Sequence, residues 1–137
     1  MLQPGLMMDR PLLISSLLVH GEAQHGRQEI VSRETHGPLF RYTIADMAAR
    51  ARRLANALRA LGVEPGQAVG SIAWNNHRHL EAYYAVSGSG MVMHTCNPRL
   101  HPQQLIYVIN HPEDQVILFD ATFAPLLRQP GEGDRAM

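Results

Sequence analysis

The sequence predicts an α/β fold, a partial parallel sheet with helices on both faces and a small N-terminal β-hairpin. From residue 43 onward, segments with helical and strand-like patterns alternate as helix, strand, helix, strand, helix, strand. The strand-like segments are short apolar runs, which is typical of parallel strands that are buried on both faces. Upstream, two shorter extended segments flank a turn sequence and predict the hairpin.

The first part of the chain predicts a helix and then the hairpin. The apolar run from Leu12 to Val19 indicates a short amphipathic helix with Pro11 in its first turn. This run is far shorter than the roughly 20 residues that span a bilayer, and its flanks lack the pattern of a secretory signal. The hairpin strands are predicted from Glu29 to Arg33 and from Leu39 to Tyr42, with a turn at Gly37.

The clearest helix is predicted from Thr43 to Leu61. Its apolar residues recur at spacings of three and four, which places them on one face. They are Ile44, Met47, Ala48, Ala51, Leu54, Ala55, Leu58 and Leu61. Thr43 and Asp46 have the spacing of a capping box, and Gly62 is a typical residue to end a helix in the left-handed conformation.

The remaining segments predict three strands and three helices. The strands are expected at Ala68 to Trp74, Met91 to Cys96 and Gln115 to Asp120. Asn75 and Asn76 can cap the next helix, which is expected to bury Leu80, Tyr83 and Tyr84 and to end at the sequence Ser87-Gly88-Ser89-Gly90. A second helix begins at Pro102 and has an apolar stripe of Leu105, Ile106 and Ile109, and a last short helix covers Phe123 to Arg128.

The predicted sheet indicates where a ligand would bind. In an open parallel sheet, ligands gather beyond the carboxyl ends of the strands. Those ends carry Trp74-Asn75, Cys96-Asn97 and Asp120.

Composition excludes several classes of function. Acidic and basic residues number 12 each, and the pI is about 7.1, which argues against a nucleic-acid partner. All basic residues are arginine, so chemistry that depends on a lysine cannot come from this chain alone. Cys96 is the single cysteine, which excludes an intrachain disulfide and favours a cytoplasmic location.

Common catalytic and nucleotide-binding motifs are not matched. Gly88 and Gly90 follow a predicted helix and precede a strand, which is the reverse of the dinucleotide-binding context. The spacing of serine, histidine and aspartate residues does not assemble a catalytic triad. Glu81 and Asp46 are interpreted as helix-surface and capping groups. Four arginines on the long helix could bind phosphate, but a solvated helix face is the favoured interpretation: Arg50, Arg52, Arg53 and Arg59.

Histidine spacing raises one metal-site hypothesis. His77 and His79 would point in divergent directions on a helix and could not share an ion. His94 and Cys96 lie two apart on a strand, so they point to one face and could supply two zinc ligands, with His101 as a third. A packed cysteine beside a hydrogen-bonded histidine is the simpler alternative, and the sequence alone assigns no metal ligand.

Three segments together resemble the AMP-forming acyl-CoA synthetases, closest to the fatty-acid–CoA ligases. Tyr42-Thr43 leads into the arginine-rich helix that is followed by Pro65-Gly66. The second segment is Trp74 to Glu81, which reads WNNHRHLE, and the third is Asn97-Pro98-Arg99-Leu100 with the helix around Ile106 to Asn110. The resemblance covers residues 6 to 128. The order and spacing of the three segments are more specific to the family than any one segment is.

The resemblance implies a two-step reaction for the full-length family. A fatty acid carboxylate attacks ATP to form an acyl-adenylate, and coenzyme A then displaces AMP, with Mg²⁺ supporting the first step. The family's nucleotide-binding and catalytic motifs lie further along a full-length chain than residue 137. The resemblance therefore assigns this chain no catalytic, cofactor-binding or metal-binding residue.

The expected organisation is an incomplete N-terminal AMP-binding-enzyme domain over residues 1–128 and an irregular tail over residues 129–137. Such a fragment of a fatty-acid–CoA ligase is expected to be inactive alone. The alternative is a non-catalytic interaction module that pairs with itself or with another ligase chain through exposed sheet edges.

Overall fold

In the computed structural model, residue 5 and residues 8–127 are described, and the predicted tail and Arg128 lie outside the described residues. The elements follow the predicted order. They are α1 (Ile14–His25), β1 (Glu29–Ser32), β2 (Phe40–Thr43), α2 (Ile44–Ala60), β3 (Ala68–Ile72), α3 (His77–Gly88), β4 (Val92–Thr95), α4 (Pro102–Asn110), β5 (Val116–Phe119), a 3₁₀ turn (Ala121–Phe123) and α5 (Ala124–Leu127).

The parallel sheet has three strands in the order β4–β3–β5. Val69 at its centre pairs with Met93 of β4 and with Val116 of β5. Every residue of β3 is buried, as expected for a central strand that is covered on both faces. The predicted α/β class is confirmed.

Helices cover both faces of this sheet. On one face, Leu58 of α2 and Val86 of α3 pack with Val69 of β3. On the opposite face, Leu105 of α4 packs with Ile72 of β3. The predicted two-sided cover is confirmed.

The hairpin forms as predicted from β1 and β2, which pair antiparallel with Ile30 opposite Tyr42. It belongs to a separate hydrophobic cluster, in which Tyr42 packs with Leu18 of α1 and with Met47 and Ala85 of α2 and α3. The hairpin is therefore attached to the helical layer rather than to the parallel sheet.

The cap of α2 is also confirmed. The Thr43 hydroxyl accepts a hydrogen bond from the Asp46 N–H at 3.2 Å, and the Asp46 carboxylate accepts one from the Thr43 N–H at 3.0 Å. Beyond the helix end, Gly62 has φ +89°, a conformation that glycine adopts without steric cost. Leu61, predicted to belong to the apolar face, is instead 70% exposed because the helix ends at Ala60 and its last apolar contact is Leu58.

The start of α1 differs from its prediction. The helix begins at Ile14, three residues after Pro11, and continues past Gly21 to His25. Leu18 is the buried residue of α1, whereas Leu17 and Val19 are exposed, so its apolar run does not form a fully buried face. None of the helices within the described residues is long and apolar enough to cross a membrane.

The buried face of α3 is rotated relative to its prediction. Tyr83 is 45% exposed, whereas Leu80 and Tyr84 are partly buried and do pack against the cluster that contains Tyr42. The buried positions are His77, Glu81, Ala82, Ala85 and Val86. Small alanines on both α2 and α3 form the buried contact layer, and the larger tyrosines lie outside it. Beyond the C-terminal end of α3, Gly90 has φ +79°, which confirms that the Gly88-x-Gly90 sequence ends a helix.

Candidate functional site

The carboxyl ends of β3 and β5 are joined by a hydrogen-bonded carboxylate. Asp120, directly after β5, accepts hydrogen bonds from the Trp74 N–H at 2.8 Å and from the Asn76 side-chain amide at 3.1 Å. The Trp74 indole N–H donates to the Thr122 hydroxyl at 2.9 Å. Two of the three predicted strand ends therefore meet, because Asp120 ties the loop after β3 to the end of β5. The third, at Cys96, lies on the other outer strand.

A cleft of about 570 Å³ opens beside this junction, between α2, α3, β3 and β5. Its walls are mostly apolar, with arginines at the α2 and α3 sides. The polar groups that line it include Arg50, Arg53, Ser71, Arg78, His79 and Asp120. This is the kind of position that the parallel sheet predicts for a ligand.

Ser71 and His79 form a polar pair in the wall of the cleft. The Ser71 hydroxyl lies 3.2 Å from the His79 Nε2, and Ser71 is 2% exposed. Burial lowers the pKa of His79, against a weaker opposing effect of Asp120, so the imidazole is neutral near pH 7. Ser71, His79 and Asp120 all line the cleft, a grouping that spacing alone did not predict. The Asp120 carboxylate accepts hydrogen bonds from Trp74 and Asn76, so among the described residues Ser71, His79 and Asp120 do not form a hydrogen-bonded triad.

Glu81 is buried, and its prediction as a helix-surface group was wrong. It is 5% exposed, and its Oε1 accepts a hydrogen bond from the Arg50 Nε at 2.7 Å. This bond raises the pKa of Arg50, and Arg50 thus neutralises the charge of a buried carboxylate. Burial, together with the same Glu81 charge, raises the pKa of the neighbouring Tyr42 to about 12.

The other arginines of α2 lie on an exposed face, as predicted. Arg52 forms an ion pair with Glu22 of α1, and that hydrogen bond lowers the pKa of Glu22. Arg53 and Arg59 are exposed. The favoured interpretation of a solvated face is confirmed for these three residues but not for Arg50, which is only partly exposed.

His77 and His79 point away from each other, as predicted for two residues two apart on a helix. The His77 Nδ1 lies 2.7 Å from the Glu34 carboxylate, and its ring stacks on Phe40 with centroids 3.9 Å apart. Arg78 binds the other oxygen of Glu34 at 2.8 Å. Burial opposes ionisation of Glu34, but hydrogen bonds from His77 and Arg78 outweigh it and lower the pKa of this carboxyl. This cluster attaches the loop after β1 to α3.

His94 in β4 and Cys96 directly after it do point to one face of the sheet, but their third neighbour is Asp114 rather than His101. The His94 Nδ1 lies 2.8 Å from the Asp114 Oδ2, and the Cys96 Sγ lies 3.8 Å from the same nitrogen. Burial raises the pKa of the Cys96 thiol. His101 is exposed at the N-terminus of α4. No sequence pattern indicated that Asp114 would join His94 and Cys96, because it lies 20 residues after His94, in the turn before β5.

Comparison with known proteins decides the family. Residues 19–135 match the AMP-binding enzyme family, which is most of the chain. The chain belongs to the AMP-binding enzyme family. Within it, the sequence is 56% identical over 123 residues to a 3-methylmercaptopropionyl-CoA ligase of Ruegeria lacuscaerulensis, covering 90% of this chain. It is 51% identical over 125 residues to a medium-chain-fatty-acid–CoA ligase of Ectopseudomonas oleovorans and 48% identical over 124 residues to a long-chain-fatty-acid–CoA ligase of Thermus thermophilus.

The chain spans about a quarter of the length of these relatives, 23% in each case. It corresponds to an N-terminal portion of an AMP-binding enzyme, as the resemblance predicted.

Solved structures of AMP-binding enzymes share the fold. A Mycobacterium tuberculosis fatty acyl CoA synthetase superposes with a TM-score of 0.72 at 24% identity, over 84% of this chain and 22% of that one. An anthranilate CoA ligase in complex with anthranoyl-AMP gives 0.76 at 20% identity, over 87% of this chain and 23% of that one.

Proposed function

We propose that this chain is part of an ATP-dependent ligase that joins a fatty acid to coenzyme A through an acyl-adenylate. The observation that carries the proposal is the identity of 48–56% to three acyl-CoA ligases over nearly the whole chain. ATP, Mg²⁺ and coenzyme A would be the co-substrates and the metal of the complete enzyme, and fatty acids its acyl substrates. A place in lipid metabolism and a cytoplasmic location follow from the same proposal.

We further propose that the 137 residues do not carry out the reaction alone. Adenylation builds negative charge on phosphate and needs fixed positive groups or backbone donors around it. The chain has no lysine, and of the three arginines that line the cleft, Arg50 is paired with Glu81 and Arg78 with Glu34. Arg53 is then the one cleft arginine without an ion pair among the described residues, and a single exposed cation supplies little of the charge that a triphosphate needs.

A pair of measurements tests these two statements. Pyrophosphate release is measured with the purified 137-residue chain, ATP, Mg²⁺ and fatty acids of several lengths, and no release above the enzyme-free rate is expected. The chain then replaces the matching segment of the Ruegeria lacuscaerulensis ligase, and the chimera is expected to form acyl-CoA.

The two measurements have separate failure outcomes. ATP-dependent pyrophosphate release by the isolated chain would contradict the proposed inactivity. A chimera that folds but forms no acyl-CoA with any of the acids would contradict the proposed role in the ligase. The unmodified relative serves as the positive control for the assay.

A second candidate function is a non-catalytic interaction module, favoured by the outer strands of the sheet. Among the described residues, β4 and β5 each pair with β3 alone, which leaves one edge of each strand without a hydrogen-bonded neighbour. Val92 and Phe119 on these strands are exposed apolar residues. Such edges favour pairing with a further strand. Sedimentation velocity at several concentrations would show association for this candidate, and a monomer at every concentration would exclude self-pairing.

A further inference from the structure

The cluster formed by His94, Cys96 and Asp114 lies apart from the cleft described above. Cys96 packs with Ile72 and Leu105, on the face of the sheet that α4 covers. Ser71 and Leu118 line the cleft, and Leu118 packs instead with the cluster of α2 and α3. The two sites therefore lie on opposite faces of the sheet, and the ligase proposal makes no use of the His94 cluster.

Three elements of the fold bring the cluster together. His94 lies in β4 and Cys96 directly follows the strand, two positions further on, so their side chains point to the same face. Asp114 lies in the turn before β5, and β3 runs between the two outer strands. A Cβ atom added at Gly70 of β3 would lie 2.6 Å from the Asp114 Oδ2. The glycine thus leaves the room in which the carboxylate reaches His94.

The ligand atoms lie near the separations of a metal site. One nitrogen, one sulfur and one carboxylate oxygen all lie within 4.8 Å of one another. A tetrahedral zinc ion with bonds of about 2.0–2.3 Å places its ligand atoms about 3.3–3.8 Å apart. The Cys96 Sγ lies 3.8 Å from each of the two ring nitrogens of His94, which fits this range for either nitrogen. The separation of 2.8 Å between the His94 Nδ1 and the Asp114 Oδ2 would have to widen by about half an ångström.

The Asp114 carboxylate supplies a second, independent observation. Its side chain is 1% exposed, yet its Oδ1 has no hydrogen-bond partner among the described residues. A buried carboxylate oxygen without a partner is costly, and metal coordination is one of the ways in which proteins satisfy it.

We propose that His94, Cys96 and Asp114 bind a divalent transition-metal ion, and that the ion is zinc. The mixture of imidazole, thiolate and carboxylate ligands suits a borderline-soft ion, whereas Mg²⁺ and Ca²⁺ prefer oxygen ligands alone. Binding releases the thiol proton of Cys96 to solvent, and the proton that the His94 Nδ1 donates to Asp114 in the empty site moves to the Nε2, which frees the Nδ1 lone pair for the ion. The ion would then connect β4 to the turn before β5. With three protein ligands, the fourth position of a tetrahedral ion is taken by water.

The test uses the purified 137-residue chain, stripped with a chelator and titrated with Co²⁺ as a spectroscopic substitute for zinc. We expect a thiolate-to-cobalt charge-transfer band in the near ultraviolet that saturates at about one ion per chain, and retention of about one zinc after dialysis. Absence of the band would overturn the proposal whether or not zinc is retained, because it would show that the Cys96 thiolate is not a ligand, and it would leave a plain His94–Asp114 hydrogen bond.

Variants test whether the three proposed ligands, rather than other side chains such as His101, bind the ion. Cys96→Ala should abolish the charge-transfer band, and Asp114→Asn should weaken zinc binding by about tenfold or more. His101→Ala is the matched control, since His101 is exposed on the adjacent α4, and it should bind zinc as the unchanged chain does. Equal zinc affinity in Cys96→Ala would overturn the proposal. Circular dichroism of each variant shows whether it folds. If a variant does not fold, the Co²⁺ titration of the unchanged chain alone decides whether the site binds metal.

Discussion

At the scale of single residues, the pair of Arg50 and Glu81 shows how burial changes the contribution of an ion pair to stability. The Glu81 side chain is 7% exposed and that of Arg50 is 37% exposed, with 2.7 Å between them. A carboxylate in such a position depends on its partner, because removal of the partner leaves a charge with little access to water. Exposed ion pairs lack this dependence, since water replaces the lost partner.

Replacement of Arg50 by alanine should therefore lower the free energy of unfolding by about 2 kcal/mol, less than for a fully buried pair because Arg50 is partly solvated. Arg41→Ala is the matched control, because Arg41 pairs with Glu29 at 2.6 Å and both side chains are about half exposed. That variant should change the free energy of unfolding by less than about 1 kcal/mol. Urea denaturation of both proteins measures the difference, and equal losses would contradict the assigned role of Glu81.

At the scale of one element, α2 depends on a residue that it shares with the hairpin. Thr43 is the last residue of β2, paired with Glu29, and is also the N-cap of α2. Its hydroxyl accepts a hydrogen bond from the Asp46 N–H, a donor that would otherwise have no partner within the helix. The same residue thus ends a strand and starts the longest helix.

Thr43→Ala should lower the free energy of unfolding by about 1 kcal/mol, because it removes the capping hydroxyl and leaves the rest of the helix intact. Thr43→Ser is the control, since serine keeps the hydroxyl and is at least as good an N-cap as threonine. Thermal denaturation followed by circular dichroism compares the two. A serine variant as unstable as the alanine variant would show that packing of the threonine methyl group, rather than the cap, is responsible.

At the scale of the whole molecule, Leu58 connects the long helix to the sheet. It is 1% exposed and belongs to the cluster that contains Val69 of β3 and Val86 of α3. Leu54, next to it on the helix, packs against both this cluster and the cluster beneath the hairpin. The α2 helix thus packs against both the hairpin and the parallel sheet, as α3 does through Ala85 and Val86.

Leu58→Ala should lower the free energy of unfolding by about 2–4 kcal/mol through lost burial and the cavity left behind. Leu61→Ala, at the exposed C-terminus of the same helix, should change it by less than about 0.5 kcal/mol. The comparison also tests the corrected helix end, because the sequence pattern had placed both leucines on the buried face. Equal effects of the two variants on urea denaturation would contradict that correction.

The sequence by itself determined the order and type of the elements, the capping box at Thr43, the left-handed stop at Gly62 and the family. These features depend on neighbours a few residues apart, or on a long pattern that a family shares, so local spacing contains the information. The α3 helix was predicted, but not the face that it buries, because that face depends on the alanines of α2 against which it packs.

Only the tertiary structure decided which distant groups meet. Arg50 and Glu81 are 31 residues apart in sequence, Trp74 and Asp120 are 46 apart, and His94 and Asp114 are 20 apart. Each contact joins two elements, and its geometry follows from strand order and helix packing that no local pattern specifies. Burial of Glu81, the cleft beside Asp120 and the third member of the His94 cluster therefore had to come from the folded chain.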